Sequence, residues 1–181
     1  NQSGCTLIVL AEWKSAIYHN KELRLVTSNI RRNSPLCLDS KIHHANLINN
    51  ILAKIEANHA RVDDALMLDL DGFVAETNST NIFMIKDGVV ITPFPKACLA
   101  GITRNLIFRI CKNNNISIFE RDISVTQLYN ADEVFTTGTM GELAKVIEVD
   151  SRKIENKGSI FNHIQYLFKE LTEKEGEKLP F

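Results

Sequence analysis

Short apolar runs broken by turn residues predict a chain in which strands outnumber helices. Strands are predicted at residues 5–11, 24–28, 65–69, 73–76, 81–85, 89–92, 116–120, 133–137 and 145–149. The dipeptides Asp71-Gly72 and Asp87-Gly88 each separate two of these strands, and Asp-Gly is a preferred turn between antiparallel strands. The middle of the chain is therefore predicted to form two antiparallel hairpins.

Helical spacing of apolar residues marks four further segments. The first predicted helix follows Asp39 and Ser40, two residue types that favour a helix N-cap, and continues to about residue 60. Helices are also predicted at residues 103–113, 125–129 and 160–172, and the charged residues 173–178 are expected to fray. No repeat, low-complexity segment or linker interrupts this order. Residues 1–181 are therefore predicted to form a single α+β domain.

Composition narrows the classes of function. The chain has 181 residues, of which 44% are hydrophobic and 24% charged, a balance typical of globular domains. A net charge of -1 gives no electrostatic reason to expect nucleic acid or an anionic membrane as a partner. The four cysteines lack paired spacing, which favours reduced thiols in the cytoplasm or an organelle lumen. No signal peptide is visible at the start.

Two glycine-containing segments have the chemistry of an anion-binding loop. Gly101-Ile102-Thr103 stands where a loop enters a predicted helix, so its backbone N–H groups could bind a phosphate. The segment 136–142 (TTGTMGE) follows a predicted strand and could form a nest for the same anion. The alternative for each is an ordinary turn, with Thr103 acting only as a helix cap.

Glu76 ends an apolar strand in the segment VAETN. A carboxylate that enters a core needs a partner, or its pKa rises. A cationic ring nitrogen would be one such partner, and a position facing solvent on the hairpin is the alternative.

Seven segments occur in an order that is specific to one family. They are ILAKIE (51–56), DALMLDLDGFVAE (64–76), NIF (81–83), TP (92–93), LAGITR (99–104), ADEVFTTGT (131–139) and VIEVD (146–150). From about Leu25 to Leu171 the chain resembles the class IV, or fold type IV, enzymes that use pyridoxal 5′-phosphate (PLP). These are the branched-chain and D-amino-acid aminotransferases and the aminodeoxychorismate lyases.

The resemblance implies a fold, a reaction and a partner. The fold expected is the large domain of a fold type IV PLP enzyme, with a barrel-like β core and surrounding helices, and with the small N-terminal domain absent. The reaction expected is amino-group transfer between a branched-chain or similar amino acid and a 2-keto acid, or the related lyase reaction. A homodimer is expected, because this family usually pairs.

The resemblance also assigns contacts with the cofactor. Glu76 is expected to pair with the pyridine nitrogen, which makes the ring an electron sink, and Leu99 is expected to pack on the ring. The phosphate is expected to be bound by the backbone of the two glycine-containing segments, at Ile102, Thr103, Thr139 and Met140.

The lysine that should hold the cofactor is not at its family position. In the family it lies three or four residues before an Asn, which here is Asn46, so the position falls on His43 or Ile42. Neither side chain is a primary amine, although His43 could still move a proton. Lys41 would share a face with His43 if the backbone is extended and would face away if it is helical.

Other departures and alternatives bear on the site. Lys54 lies roughly 16 Å from His43 along the predicted helix and is expected to be a surface lysine. Leu47 stands where branched-chain aminotransferases commonly have a tyrosine. A metal site built on His43, His44 and His59 lacks ligand spacing, so no metal is predicted.

Three functions stay open. The first is an aminotransferase in which Lys41 forms the bond to the cofactor, or a partner segment supplies the lysine, with His43 as a proton shuttle. The second is a catalytically inactive relative that binds PLP, another phosphorylated ligand or a partner protein as a regulatory module. The third possibility is a structural domain of a larger protein.

Overall fold

One mixed β-sheet forms the centre of the computed structural model, which describes residues 4–15, 17–18, 22–155 and 158–177. Within those residues the sheet has nine strands: β1 (Leu23–Thr27), β2 (Asp64–Leu68), β3 (Val74–Thr77), β4 (Asn81–Lys86), β5 (Val89–Thr92), β6 (Ile118–Glu120), β7 (Glu133–Gly138), β8 (Glu142–Val149) and β9 (Arg152–Lys153). The order is β3-β2-β1-β8-β7-β4-β5-β6, and β9 pairs with β8. The mixture of hairpins and packed helices confirms the predicted α+β class.

The predicted hairpins are confirmed, and two other strand predictions need correction. β2 and β3 pair antiparallel, as do β4 and β5. The prediction of a strand at residues 5–11 is wrong, because this segment pairs with no strand of the described residues and its apolar side chains, such as Leu7 and Leu10, are exposed. β8 begins at Glu142 instead of residue 145, since its ladder with β7 extends to Gly138. β9 was not predicted.

Four helices pack around the sheet in the described residues: α1 (Ile48–His59), α2 (Ile102–Asn113), α3 (Val125–Tyr129) and α4 (Ile160–Glu175). A capping box explains the sharp start of α3, because Ser124 and Gln127 exchange hydrogen bonds between side chain and backbone. α4 continues three residues beyond the predicted end, and the last residue of the predicted frayed tail lies outside the described residues.

The helix predicted from Asp39 to residue 60 is wrong in its first third. The Asp39 carboxylate accepts a hydrogen bond from the Lys41 N–H and caps a 3₁₀ turn at Ser40–Ile42. Asp39 is therefore an N-cap as predicted, but it caps this short turn and not the long helix. His43 then adopts a left-handed conformation, with φ 49° and ψ 56°. A left-handed residue cannot continue a right-handed helix, so α1 begins only at Ile48.

Side chains on the two faces of the sheet form separate apolar clusters. Neighbouring residues such as Val134 and Phe135 belong to different clusters, as the period of two in a strand requires. The cluster containing Phe135 packs against α2 and α4, and the Phe83 and Phe135 rings stack at 4.9 Å between centroids. A third cluster joins α1 to β2 through small residues such as Ala53 and Ala57.

Helix α1 also carries an exposed apolar stripe. Ala53 and Ala57 are buried against the sheet, whereas Ile48, Ile51, Leu52 and Ile55 are exposed on the rest of the helix. Such a contiguous stripe is typical of a surface that another element covers.

No helix in the described part of the chain is long and apolar enough to cross a membrane.

Replacement of Phe135 by alanine should destabilise the domain by about 3–5 kcal/mol, because it empties a large, fully buried site and removes the ring stack. Urea unfolding measures the change. Leu70→Ala, at a position 68% exposed, is the control and should change the free energy of unfolding by less than about 0.5 kcal/mol. Equal effects of the two variants would contradict this account of the core.

Candidate functional site

A cavity of about 460 Å³ opens at one end of the sheet. Its walls come from seven stretches of chain that are distant in sequence: Ile17 and Tyr18; Arg32; Ser40, His43 and His44; Leu47 and Asn50; Glu76, Asn78, Ser79 and Thr80; Leu99; and Gly138, Thr139, Met140 and Gly141. A larger open groove lies between α2 and α4, but none of the predicted site residues lines it.

A buried ion pair forms one wall of the cavity. The Arg32 guanidinium lies 2.9 Å from a Glu76 carboxylate oxygen, and each residue is 6% exposed. Glu76 therefore does not face solvent. Its partner in the structure is an arginine that the pattern of the sequence did not single out, because Arg32 lies in a polar stretch with no motif of its own.

Arg32 is held by a set of acceptors that uses all its donor nitrogens. Nε donates to the Ala97 carbonyl at 3.2 Å, and Nη1 donates to the side-chain oxygens of Asn49 at 2.9 Å and Asn50 at 2.7 Å. Nη2 donates to Ser40 Oγ at 2.7 Å as well as to Glu76. The arginine is thereby fixed from the 3₁₀ turn, from α1 and from the loop before Leu99.

Opposing influences act on the Glu76 carboxylate. Burial raises the pKa of Glu76 to about 7, while the Arg32 guanidinium and a hydrogen bond from the Leu99 backbone act to lower it. The group is thus poised to change charge near neutral pH. A cationic ligand nitrogen beside it would favour the ionised form.

The predicted phosphate-binding segments differ in where they lie. Thr139 and Met140 are in the turn between β7 and β8 and line the cavity, as Leu99 does. Ile102 and Thr103 do not line it: the Ile102 side chain is 71% exposed and the Thr103 side chain is buried in the core. Only the backbone N–H groups at the start of α2 are therefore available for the predicted role.

Close packing gives Gly101 a structural reason independent of any ligand. A Cβ at this position would overlap the side-chain oxygen of Asn81, whose amide nitrogen donates to the Leu99 carbonyl at 2.8 Å. The alternative that this glycine serves the fold therefore has direct support.

The structure separates the two candidates for the lysine's role. Lys41 lies in the 3₁₀ turn with its side chain 46% exposed, and its Nζ is 3.3 Å from Asp39 Oδ1, outside the cavity. His43, at the end of that turn, lines the cavity. The backbone is helical at residues 40–42 and left-handed at His43, so it matches neither the extended nor the helical case considered for residues 41–43.

Lys54 is not a simple surface lysine. Its Nζ lies 3.1 Å from the carboxylate of Asp64, a residue that is 1% exposed, and also donates to the Asp63 carbonyl. The side chain is 40% exposed on α1, as expected of a surface lysine, and the ion pair with the buried Asp64 is a contact that the sequence did not show.

Tyr18 is a second cavity residue that the sequence pattern did not reveal. Its hydroxyl donates to the Asp64 carboxylate and lies 3.3 Å from Ser79 Oγ. Its ring packs so closely on Gly141 that a Cβ there would overlap it. The Ile17 N–H donates to the Met140 carbonyl at 2.9 Å, so this segment is attached to the β7–β8 turn.

A family model described as "Amino-transferase class IV" matches residues 2–149. The chain belongs to this family. The branched-chain-amino-acid aminotransferase-like protein 2 of Arabidopsis thaliana is 55% identical over 183 residues, which cover 99% of this chain and 33% of that protein.

Solved structures of aminotransferases share the fold. A branched-chain aminotransferase from Thermoproteus uzoniensis, solved with norvaline, aligns with a TM-score of 0.82 at 30% identity, over 86% of this chain and 53% of that one. An aminotransferase from Brucella abortus, solved with PLP bound, aligns with a TM-score of 0.80 at 30% identity, over 84% of this chain and 55% of that one. The fold is therefore that of the fold type IV enzymes. The chain spans from a third to about half the length of these relatives.

The raised pKa of Glu76 makes a pH-dependent contribution to stability. The folded protein holds a proton on this group between about pH 4.5 and pH 7, whereas the unfolded chain has released it, so the stability that Glu76 contributes falls as pH rises through this window. Relative to a Glu76→Gln variant, the free energy of unfolding of the wild type should fall by about 3 kcal/mol, at about 1.4 kcal/mol per pH unit.

Urea unfolding of both proteins at pH 4.5, 5.5, 6.5 and 7.5 measures this difference. Groups elsewhere in the chain titrate in both proteins and cancel. A difference that stays constant across the series would mean that the pKa of Glu76 is near its ordinary value.

Proposed function

We propose that this chain forms the PLP-binding domain of a branched-chain-aminotransferase-like protein and holds the cofactor without a covalent bond to lysine. The observation that carries the proposal is the lining of the cavity. It combines a buried carboxylate, Glu76, with a histidine, His43, at the position where the family resemblance expects the lysine. Lys41, the nearest lysine along the chain, is turned to Asp39.

The residues of the cavity fit such a cofactor. Glu76 would accept a hydrogen bond from the pyridine nitrogen, and the cation formed there would offset the burial that raises the pKa of this carboxyl group. Leu99 would pack on the ring, and the backbone of Thr139 and Met140 would hold the phosphate. The N–H groups at the start of α2 would supplement them. When bound, PLP supplies an electron sink for a carbanion.

No primary amine lines the cavity among the described residues. Only a primary amine can form the covalent bond that family members use, so binding here would rest on hydrogen bonds, packing and charge. His43 would remain able to hold or release a proton beside the ligand.

The alternative is an aminotransferase in which Lys41 replaces the missing amine. Two observations favour it. The relatives carry aminotransferase names, and one was solved with the amino acid norvaline. The Lys41–Asp39 ion pair is solvent-exposed, and exposed pairs contribute little to stability, so the lysine could leave it at low cost. The reaction would be amino-group transfer between a branched-chain or similar amino acid and a 2-keto acid.

One experiment separates the two functions. PLP is added to the purified chain, the visible spectrum is recorded before and after borohydride, and the peptides are mapped by mass spectrometry. PLP is expected to bind. After borohydride treatment, dialysis should still remove the cofactor, and no peptide should carry a label. Glu76→Gln should weaken binding roughly tenfold or more, because the buried charge partner of the ring nitrogen is lost.

Lysine variants supply the controls. Lys41→Ala should leave PLP binding unchanged, as should Lys96→Ala, which breaks a comparable exposed pair with Asp122. A borohydride-stable label on Lys41 that disappears in Lys41→Ala would favour the aminotransferase instead. Absence of any PLP binding would contradict both functions and leave a structural domain.

Homodimerisation stays a prediction, and the exposed stripe of Ile48, Ile51, Leu52 and Ile55 on α1 supports it. Light scattering of the purified chain at micromolar concentration should give the mass of two copies, and Leu52→Glu should shift it toward one. A wild-type mass of one copy would contradict the prediction.

A further inference from the structure

Two imidazoles lie next to each other in the lining of the cavity. His43 and His44 both contribute to the wall, and the Nδ1 atom of His44 is enclosed yet has no hydrogen-bond partner among the residues that the structure describes. Buried polar atoms in folded proteins nearly always have a partner. An imidazole nitrogen can accept or donate one hydrogen bond, so this atom offers an unfilled bond to whatever enters the cavity.

Part of the polar wall is already committed. The Arg32 guanidinium is shared among Glu76, Ser40, Asn49, Asn50 and the Ala97 carbonyl. Arg32 and Glu76 are thus occupied with each other and with these neighbours. The two imidazoles are polar groups of the same lining that this network does not use.

The aldehyde and amine forms of the proposed cofactor differ in what they gain from this wall. An aldehyde oxygen only accepts hydrogen bonds, and its usual advantage is the covalent bond to a lysine. A protonated amine donates up to three hydrogen bonds and carries a charge, and charge-assisted bonds are roughly twice as strong as neutral ones. Imidazole nitrogens are suitable acceptors for such a group.

We infer that the cavity selects the amine form, pyridoxamine 5′-phosphate, over the aldehyde form, and that His43 and His44 determine this preference. The inference rests on the proposed function, since it concerns the same cavity. The proposed mode of binding lacks the covalent bond that would favour the aldehyde, whereas the two imidazoles supply acceptors that an ammonium group can use. The chain would thus hold the cofactor in the form that already carries an amino group.

Isothermal titration of the whole chain with each of the two compounds tests the preference directly. For the wild type, pyridoxamine 5′-phosphate should bind about tenfold more tightly than PLP, as expected from one added charge-assisted hydrogen bond. His43→Ala and His44→Ala should each bring the affinities for the two compounds to within about twofold of each other. His59→Ala, an exposed histidine at the end of α1 that does not line the cavity, is the matched control and should keep the tenfold ratio.

A variant that restores a primary amine should reverse the preference between the two compounds. His43→Lys restores a primary amine at the expected position, so PLP should now bind more tightly than the amine form, and borohydride should fix it to residue 43. This readout needs no catalytic activity. Circular dichroism checks that each variant is folded, and the wild-type ratio stands even where a variant fails.

The outcomes separate the inference from the proposed function. Failure of both compounds to bind would overturn the proposed function, and the inference with it. Equal affinities in the wild type, or tighter binding of PLP, would overturn the inference alone. A tenfold preference that His43→Ala and His44→Ala both retain would also overturn it, because the imidazoles would then not be its source.

Discussion

The buried ion pair between Arg32 and Glu76 is the interaction on which the rest of the site depends. Two charges taken out of water are tolerated only when each has partners, and Arg32 obtains them from four separate parts of the chain. The 3₁₀ turn, α1, the loop before Leu99 and strand β3 are thereby drawn to one point. The cavity exists because these elements converge on the guanidinium.

The same pair decides which side chain enters the cavity from the 3₁₀ turn. Ser40 is buried because its hydroxyl accepts from Arg32 and donates to the Ala97 carbonyl. A 3₁₀ helix rotates by about 120° per residue, so Lys41 must point away from Ser40. The left-handed backbone at His43 then turns the chain, and the wall continues with the two imidazoles. The outward position of Lys41 thus follows from the burial of Ser40.

Local signals explain how much of this fold could be predicted. The bounds of β5 and α3 agree with the sequence pattern, because an Asp-Gly turn and a capping box lie next to them. The segment at residues 5–11 has an apolar strand pattern but no partner strand in the part of the chain that the structure describes, and a pattern cannot show whether a partner exists. The start of α1 was missed for a similar reason, since the turn before the break at His43 is held by a hydrogen bond from Ser40 to the Ala97 carbonyl, 57 positions along the chain.

The candidate site shows the same contrast between residues that a local pattern identifies and residues defined by distant contacts. Glu76, Leu99, Thr139 and Met140 were identified by resemblance and line one cavity. Arg32 and Tyr18 were not, because what defines them is a contact with a distant residue; the Tyr18 hydroxyl, for example, donates to an acceptor 46 positions away. Ile102 and Thr103 were named for their backbone, and their side chains indeed point elsewhere.

The positions of these residues explain how a cofactor site could persist without the lysine that forms the covalent bond. Of the residues proposed to hold the ring and the phosphate, Glu76 belongs to β3 and Thr139 and Met140 to the β7–β8 turn, so these are fixed by the sheet itself, while Leu99 lies in the loop before α2. The position expected to carry the lysine lies outside the sheet, in a turn whose side chain at residue 43 is exposed. A substitution there removes a reactive amine without disturbing the core, because no buried contact is lost. The proposed binding and the covalent bond of the family therefore depend on different parts of the fold, and one can change while the other persists.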